Sequence, residues 1–161
     1  MSAALNFPAG GVPDCLPQVD ALATRADIQA LEAACRPMPQ VDCPLIHHYA
    51  PGLYAREIAI PAGTVVVGKI HKHAHINVIS HGSAFVVTEF DRVRVQAPYT
   101  FVSQPGTKRS LIAETDLVWT TIHANEDDCR DVDVIESRLI SPDYAGLGIE
   151  NKPASVLEFK Q

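Results

Sequence analysis

The stretch GTVVVGKIHKHAHINVISHG, residues 63–82, decides the fold. It leaves a Pro61-Ala62-Gly63 turn and runs through the β-branched Thr64–Val67. It then carries His71, His73 and His75 at every second position, resumes an apolar run over Ile76–Ile79, and breaks at His81-Gly82-Ser83. Short runs of β-branched residues closed by glycine and proline are strand chemistry. The same texture extends outward on both sides. Runs over Leu45–Tyr49, Leu53–Ile60, Thr64–His71, Ile76–Ser80, Ala84–Glu89, Arg92–Gln96, Thr100–Ser103, Ser110–Ala113 and Leu117–His123 are separated by breaks such as Pro51-Gly52, Pro98 and Pro105-Gly106. Many short strands at this spacing predict an all-β sandwich or barrel over 45–123.

Upstream, the first 23 residues hold Pro8, Pro13, Pro17 and Gly10-Gly11 and read as an irregular arm. Thr24 with Asp27 three residues on has the pattern of a capping box. Ile28, Leu31 and Cys35 recur at helical spacing until Pro37 and Pro39 stop the run, which predicts a helix over 25–35 packed outside the barrel. Downstream, Asn125–Glu136 carries Glu126, Asp127, Asp128, Asp131, Asp133 and Glu136 against Arg130 alone, and reads as a solvated helix or loop. The chain thus divides into an arm and helix over 1–44, a barrel over 45–123, and an acidic segment with a tail over 124–161.

Composition narrows the function. With 161 residues, 47% apolar and 20% charged, the chain reads as one folded domain. A net charge of −6 without a basic stripe argues against nucleic acid as a partner. No apolar run approaches the roughly 18–20 residues of a membrane span, and no basic segment followed by an apolar one marks a leader, so a cytoplasmic protein is expected. Cys15, Cys35, Cys43 and Cys129 are scattered without a Cys-x-x-Cys pair and are expected to be reduced thiols. Strand edges and terminal arms without an evident role predict a homodimer or larger homo-oligomer.

The histidines carry the chemistry. On a regular strand His71, His73, His75 and Asn77 share one face. Residues two apart lie about 6.6 Å from one another and residues four apart about 13 Å, so a straight strand offers His71/His73 or His73/His75 to one ion. A bend near Ala74 would instead bring His71 and His75 together. Imidazole is the commonest ligand for divalent transition metals, and a metal-free polar pocket is the alternative. His123 ends the run Leu117–His123 and shares its face with Trp119 and Thr121, which makes it a candidate for completing the set. Tyr54 and Tyr99 are candidates for hydrogen bonds to a ligand. Of His47 and His48, at most one can look into a pocket.

These residues resemble the two cupin motifs. Gly63 is followed by five residues, Lys69-Ile70-His71, three residues, His75, six residues and Gly82, the spacing of the first motif. Pro98, five residues, Gln104-Pro105-Gly106, two residues, Arg109, and then Ala113 follow the second. Lys69 stands where that motif has its first histidine, His75 where it has glutamate, Arg109 where it has the last histidine, and Ala113 where it has asparagine. The chain is also similar to small cupin-like proteins of phages and prophages, which share the Gly-Lys-Ile-His-Lys run at 68–72 and the Trp-Thr-Thr-Ile-His strand end at 119–123. The resemblance implies a cupin-type jelly-roll β-barrel whose pocket is lined by both motifs.

The expected site is a divalent transition metal held by His71, His73, His75 and His123, with Lys69, Arg109, Tyr99 and Asn77 binding a small molecule or anion. Lys69 and Arg109 would repel a bare cation and attract a carboxylate or phosphate. Catalysis is left open. The alternative is a non-catalytic, virion-associated or interaction module of phage origin in which the site has drifted.

Overall fold

The computed structural model describes residues 3–6 and 23–147. In chain order its elements are β1 (Ala3–Asn6), α1 (Arg25–Cys35), β2 (Leu45–Ala50), β3 (Gly52–Ile60), β4 (Thr64–Val67), β5 (Ile70–His71), β6 (His75–His81), β7 (Ser83–Thr88), β8 (Arg92–Gln96), β9 (Tyr99–Ser103), β10 (Arg109–Ala113), β11 (Leu117–Asn125), α2 (Val132–Leu139) and β12 (Ile140–Ser141), followed by a 3-10 turn at Ala145–Leu147. Two five-stranded sheets form, in the orders β1-β4-β10-β7-β8 and β2-β3-β11-β6-β9, and β5 pairs with β12 apart from both. Every pairing is antiparallel. The chain repeatedly crosses from one sheet to the other, as in a jelly roll, and the protein is an all-β sandwich of that kind.

Alternation along the strands grades the interior from apolar to polar. On the inward face of β6 the order is Ile79, Asn77, His75; on β11 it is Leu117, Trp119, Thr121, His123; on β3 it is Ile60, Ile58, Arg56, Tyr54. One end of the sandwich is filled by Ile60, Val66, Ile79, Val86, Val95, Leu111, Leu117 and Trp119, all buried. The polar ends of the same strands meet at the other end, where the histidines lie.

Helix α1 starts as its sequence predicts. The Thr24 side chain accepts from the Asp27 amide and the Asp27 carboxylate accepts from the Thr24 amide. Such a cap contributes about 1 kcal/mol. Ile28 is buried with Ala23 and Val67, which holds the helix against the outer surface of β4. Lys108, itself buried, reaches Glu32 of the same helix at 2.8 Å.

Three readings are corrected here. Ala3–Asn6 is not irregular: it pairs with β4 as an edge strand, while 7–22 and 148–161 lie outside the described residues. The run Thr64–His71 is not one strand. It breaks at Gly68-Lys69, where the Gly68 amide donates to the Arg109 carbonyl at 2.9 Å, and β5 then leaves the sheet for β12. The acidic segment is not merely solvated. Helix α2, which begins in it and runs on to Leu139, buries Ile135 and Leu139 against Tyr54, with Asp131 capping its N-terminus.

Gly82, between β6 and β7, has φ +81°, and a Cβ there would sit 2.0 Å from the Asp116 carbonyl oxygen. Both the left-handed conformation and a backbone overlap that no side-chain rotation relieves act against any other residue. Gly82→Ala is therefore expected to lower unfolding stability by about 2–4 kcal/mol, read by urea denaturation.

Candidate metal centre

Between β5 and β6 the chain bends through Lys72-His73-Ala74, and the bend is tied from both sides. The Lys72 amide donates to the Leu139 carbonyl at 2.8 Å, and the Gly106 amide donates to the His71 carbonyl at 2.8 Å. This is the second of the two geometries the sequence allows. It brings the rings of His71 and His75 to a centroid distance of 4.1 Å, although they are four residues apart. His123 arrives from the neighbouring strand β11, stacked on His71 at 5.1 Å and tilted against His75 at 4.8 Å. One nitrogen from each of the three lies within 4.8 Å of the others.

The ring nitrogens show what the cluster suits. His75 Nδ1 lies 3.2 Å from the His73 carbonyl oxygen and donates to it, which leaves Nε2 as a lone pair. That Nε2 and the Nδ1 of His71 are buried without a hydrogen-bond partner. Buried polar atoms left unpaired cost free energy, and a histidine whose other nitrogen is held by a carbonyl, as in His75, is the usual arrangement of a metal ligand. Burial, reinforced by neighbouring positive charge, depresses all three: His71 to about 2, His123 to about 3 and His75 to about 4. For His75 the His73 carbonyl pulls the other way. The neutral, ligating form is thus the stable one. The donor set fits a divalent transition metal through His71, His75 and His123, with coordination positions left over for another ligand.

His73, expected among the ligands, is exposed, and the bend leaves its imidazole out of this cluster; its backbone carbonyl orients His75 instead. Lys69 turns to Glu136 of α2 rather than to the histidines. Tyr99 pairs with Ile79 at the apolar end, its ring 5.5 Å from that of Phe101. Asn77 is wholly buried beneath the cluster. Its Oδ1 accepts from Trp119 Nε1 at 2.9 Å, and its Nδ2 donates to Ser103 Oγ at 2.9 Å. Tyr54 donates or accepts with His47 Nδ1 at 2.7 Å, and its ring stacks on His123 at 6.4 Å. His48 faces the other way, toward Glu57.

Arg109 points inward and is buried. Its guanidinium donates to Ser103 Oγ and, at 3.4 Å, to Asn77 Oδ1, and it lies 5.6 Å from the Phe101 ring and 5.5 Å from the Trp119 ring. Among the described residues no carboxylate pairs with it; Glu114 is taken by Arg94. Loss of water pushes its pKa down to about 10. Two residues at the rim were not singled out in the sequence. Arg56 and Glu136 meet at 3.4 Å, and Glu136 also holds Lys69. Arg56 shares the inward face of β3 with Tyr54, and a two-residue step from an apolar neighbour was the only signal for it. For Glu136 there was none, because its place depends on how α2 docks.

No protein-family model and no curated protein matches the chain. Among solved structures it is similar to KdgF from Halomonas, at 20% identity over 56% of this chain and 81% of that one, with a TM-score of 0.44. It is also similar to a cupin 2 domain-containing protein from Halorhodospira halophila, at 18% identity over 60% of this chain and 75% of that one, TM-score 0.45. An acetylacetone dioxygenase from Acinetobacter johnsonii matches at 15% identity over 51% of this chain and 58% of that one, TM-score 0.41.

Two outcomes follow from the electrostatics. The three imidazoles have folded-state pKa values below the ordinary value of about 6.5, so on acidification the unfolded chain takes up their protons first. Their contribution to stability is complete above about pH 6.5 and is lost as pH falls through the folded values. Each adds a slope of up to about 1.4 kcal/mol per pH unit. In chelator, thermal midpoints are expected to fall steeply between pH 6.5 and 4, and His75→Gln is expected to flatten that slope. Arg109 behaves differently. Removing it leaves Asn77, Ser103 and Trp119 still bonded to one another, and removes a buried charge without a counter-ion. Arg109→Met is expected to keep or raise the midpoint of the metal-free protein by differential scanning fluorimetry. A fall of more than about 5 °C would show that the guanidinium is structural cement.

Proposed function

We propose that this protein is a cupin-like metal-binding barrel. It holds one divalent transition metal on His71, His75 and His123 and presents it to a small anionic molecule drawn in by Arg109. The observation that carries the reading is the convergence of three imidazoles in which His71 Nδ1 and His75 Nε2 are buried without a hydrogen-bond partner. A bound metal would supply Lewis acidity at its open positions. The chain's own residues do the rest. The His73 carbonyl fixes the tautomer of His75, Asn77 and Ser103 hold the guanidinium of Arg109 against Phe101 and Trp119, and the apolar end behind them excludes water.

The opposing reading, a barrel kept only as an interaction module, is favoured by one observation: Arg109 already has hydrogen-bond and aromatic partners inside the protein. Metal analysis separates the two. Protein purified without a histidine tag and dialysed against zinc or nickel is expected to hold about one equivalent. His75→Ala and His123→Ala are each expected to lower affinity at least tenfold while the far-ultraviolet circular dichroism stays that of a β-protein. His73→Ala is expected to change affinity little, because a backbone carbonyl serves there. No metal uptake by the wild type would remove this reading.

A further inference from the structure

The outer faces of the two sheets are treated differently. On the sheet that contains β4, Val65 and Val67 pack under α1 through Cys35 and Ile28, and the exposed Arg94 of β8 pairs with Glu114. The sheet β2-β3-β11-β6-β9 has neither device. Its inward positions are taken by residues such as Tyr54, Asn77, Trp119 and His123, so alternation turns Ile46, Leu53, Ile76, Val102 and Ile122 outward. Ala55, Ile122, Ile76 and Val102 are cross-strand partners in one row over four strands. Eight large hydrophobic residues are exposed among the described residues, and four of them, Ile46, Leu53, Ile76 and Val102, stand on this one face. Helix α2 does not cover it, because α2 packs on Tyr54 of the inner face.

Charge is equally one-sided. The five strands hold a single lysine or arginine, Arg56, which faces inward, and a single carboxylate, Glu57, which lies 3.7 Å from His48. Exposed edge strands are normally blunted by lysine, proline or a covering element, and the edge strands β2 and β9 contain neither residue. Five strands about 4.8 Å apart and about six residues long make a face of roughly 24 by 20 Å. That is roughly 480 Å² of flat sheet, and side-chain relief adds to it. Two such faces together clear the roughly 1,000 Å² that a specific interface needs.

The chemistry of the face selects its occupant. A membrane surface draws in lysine and arginine, and this face presents neither. The last described residues lie against the other sheet, where the ring of Tyr144 stacks on Arg25 of α1 at 3.7 Å. A second copy brings a face of the same size, equally apolar and without like charges to bury. We propose that this protein forms a homodimer in which two copies pack the outer faces of the β2-β3-β11-β6-β9 sheets against one another, about a two-fold axis near Ile122 of the middle strand β11. The interface is independent of the metal centre, whose ligands His75 and His123 point to the opposite side of β6 and β11.

The test is sedimentation velocity of the full chain from about 1 to 200 μM, with and without chelator. Wild type is expected to sediment at twice the chain mass in both. Ile76→Lys and Val102→Lys are each expected to weaken the dimer at least tenfold and together to give a monomer, with the far-ultraviolet circular dichroism unchanged. Should a lysine variant fail to fold, Ile76→Thr with Val102→Thr keeps β-branched residues in the strands and is expected to weaken the dimer about tenfold. Phe85→Lys, which charges an exposed apolar position on the other sheet, is expected to leave the dimer intact. A wild type that is monomeric up to 200 μM overturns the proposal. So does a dimer that withstands the paired substitutions, or one that is lost with Phe85→Lys or only on removal of residues 148–161. Binding of a monomeric wild type to phosphatidylcholine vesicles would assign the face to lipid and overturn it as well.

Discussion

The site depends on one bend. A straight strand through residues 71–75 would hold its first and last histidines about 13 Å apart, too far for one ion. Here the rings stand 4.1 Å apart, because the chain turns at Lys72-His73-Ala74 and backbone hydrogen bonds from the 104–106 turn and from the end of α2 secure that turn. Two elements remote in sequence therefore set the spacing of the cluster. One is the Pro105-Gly106 turn after β9; the other is β12, which pairs with β5 and fixes the direction in which His71 points. Loosening either would spread the imidazoles without touching them.

That bend works only inside the graded interior. The apolar end, packed around Ile79, Leu117 and Trp119, sets the register of β6 and β11. Register then carries His75 and His123 to the same height two rows away. A slip of one residue would turn every one of these side chains outward. The hydrophobic core thus positions the polar site by lattice geometry, and needs no specific contact to the histidines.

Much of this was legible in the residues. The strands and the helix cap follow from local chemistry, β-branched runs and a Thr24–Asp27 reciprocal cap, and the pair His71/His75 was one of the two geometries that period-two histidines allow. His123 was legible by parity from Trp119. His73 was misplaced because parity along an unbroken strand does not show where the strand stops; Ala74 marked that point, but the hydrogen bonds that enforce it are long-range. Glu136 and Arg56 were not legible for the same kind of reason. An acidic segment reads as solvated until α2 is seen to bury Ile135 and Leu139 on Tyr54, and only that docking brings Glu136 to the two cations. The strand at Ala3–Asn6 was not legible because none of its four residues is β-branched or aromatic; pairing with the edge of β4 supplies what local chemistry does not.

Arg109 and the histidines look contradictory only when each is taken alone. The arginine stands where the resemblance leads one to expect an imidazole, and His123 from β11 supplies a third imidazole in its stead. A cation beside a divalent metal is costly: two unit charges a few ångströms apart repel by about 4 kcal/mol at an effective dielectric of about 20. An anion placed between them turns that repulsion into two attractions. Under the proposed function, metal and anion therefore bind with positive coupling, and linkage requires the effect to be equal in both directions. On that reading the buried guanidinium would weaken binding of the metal alone and strengthen its binding together with an anion.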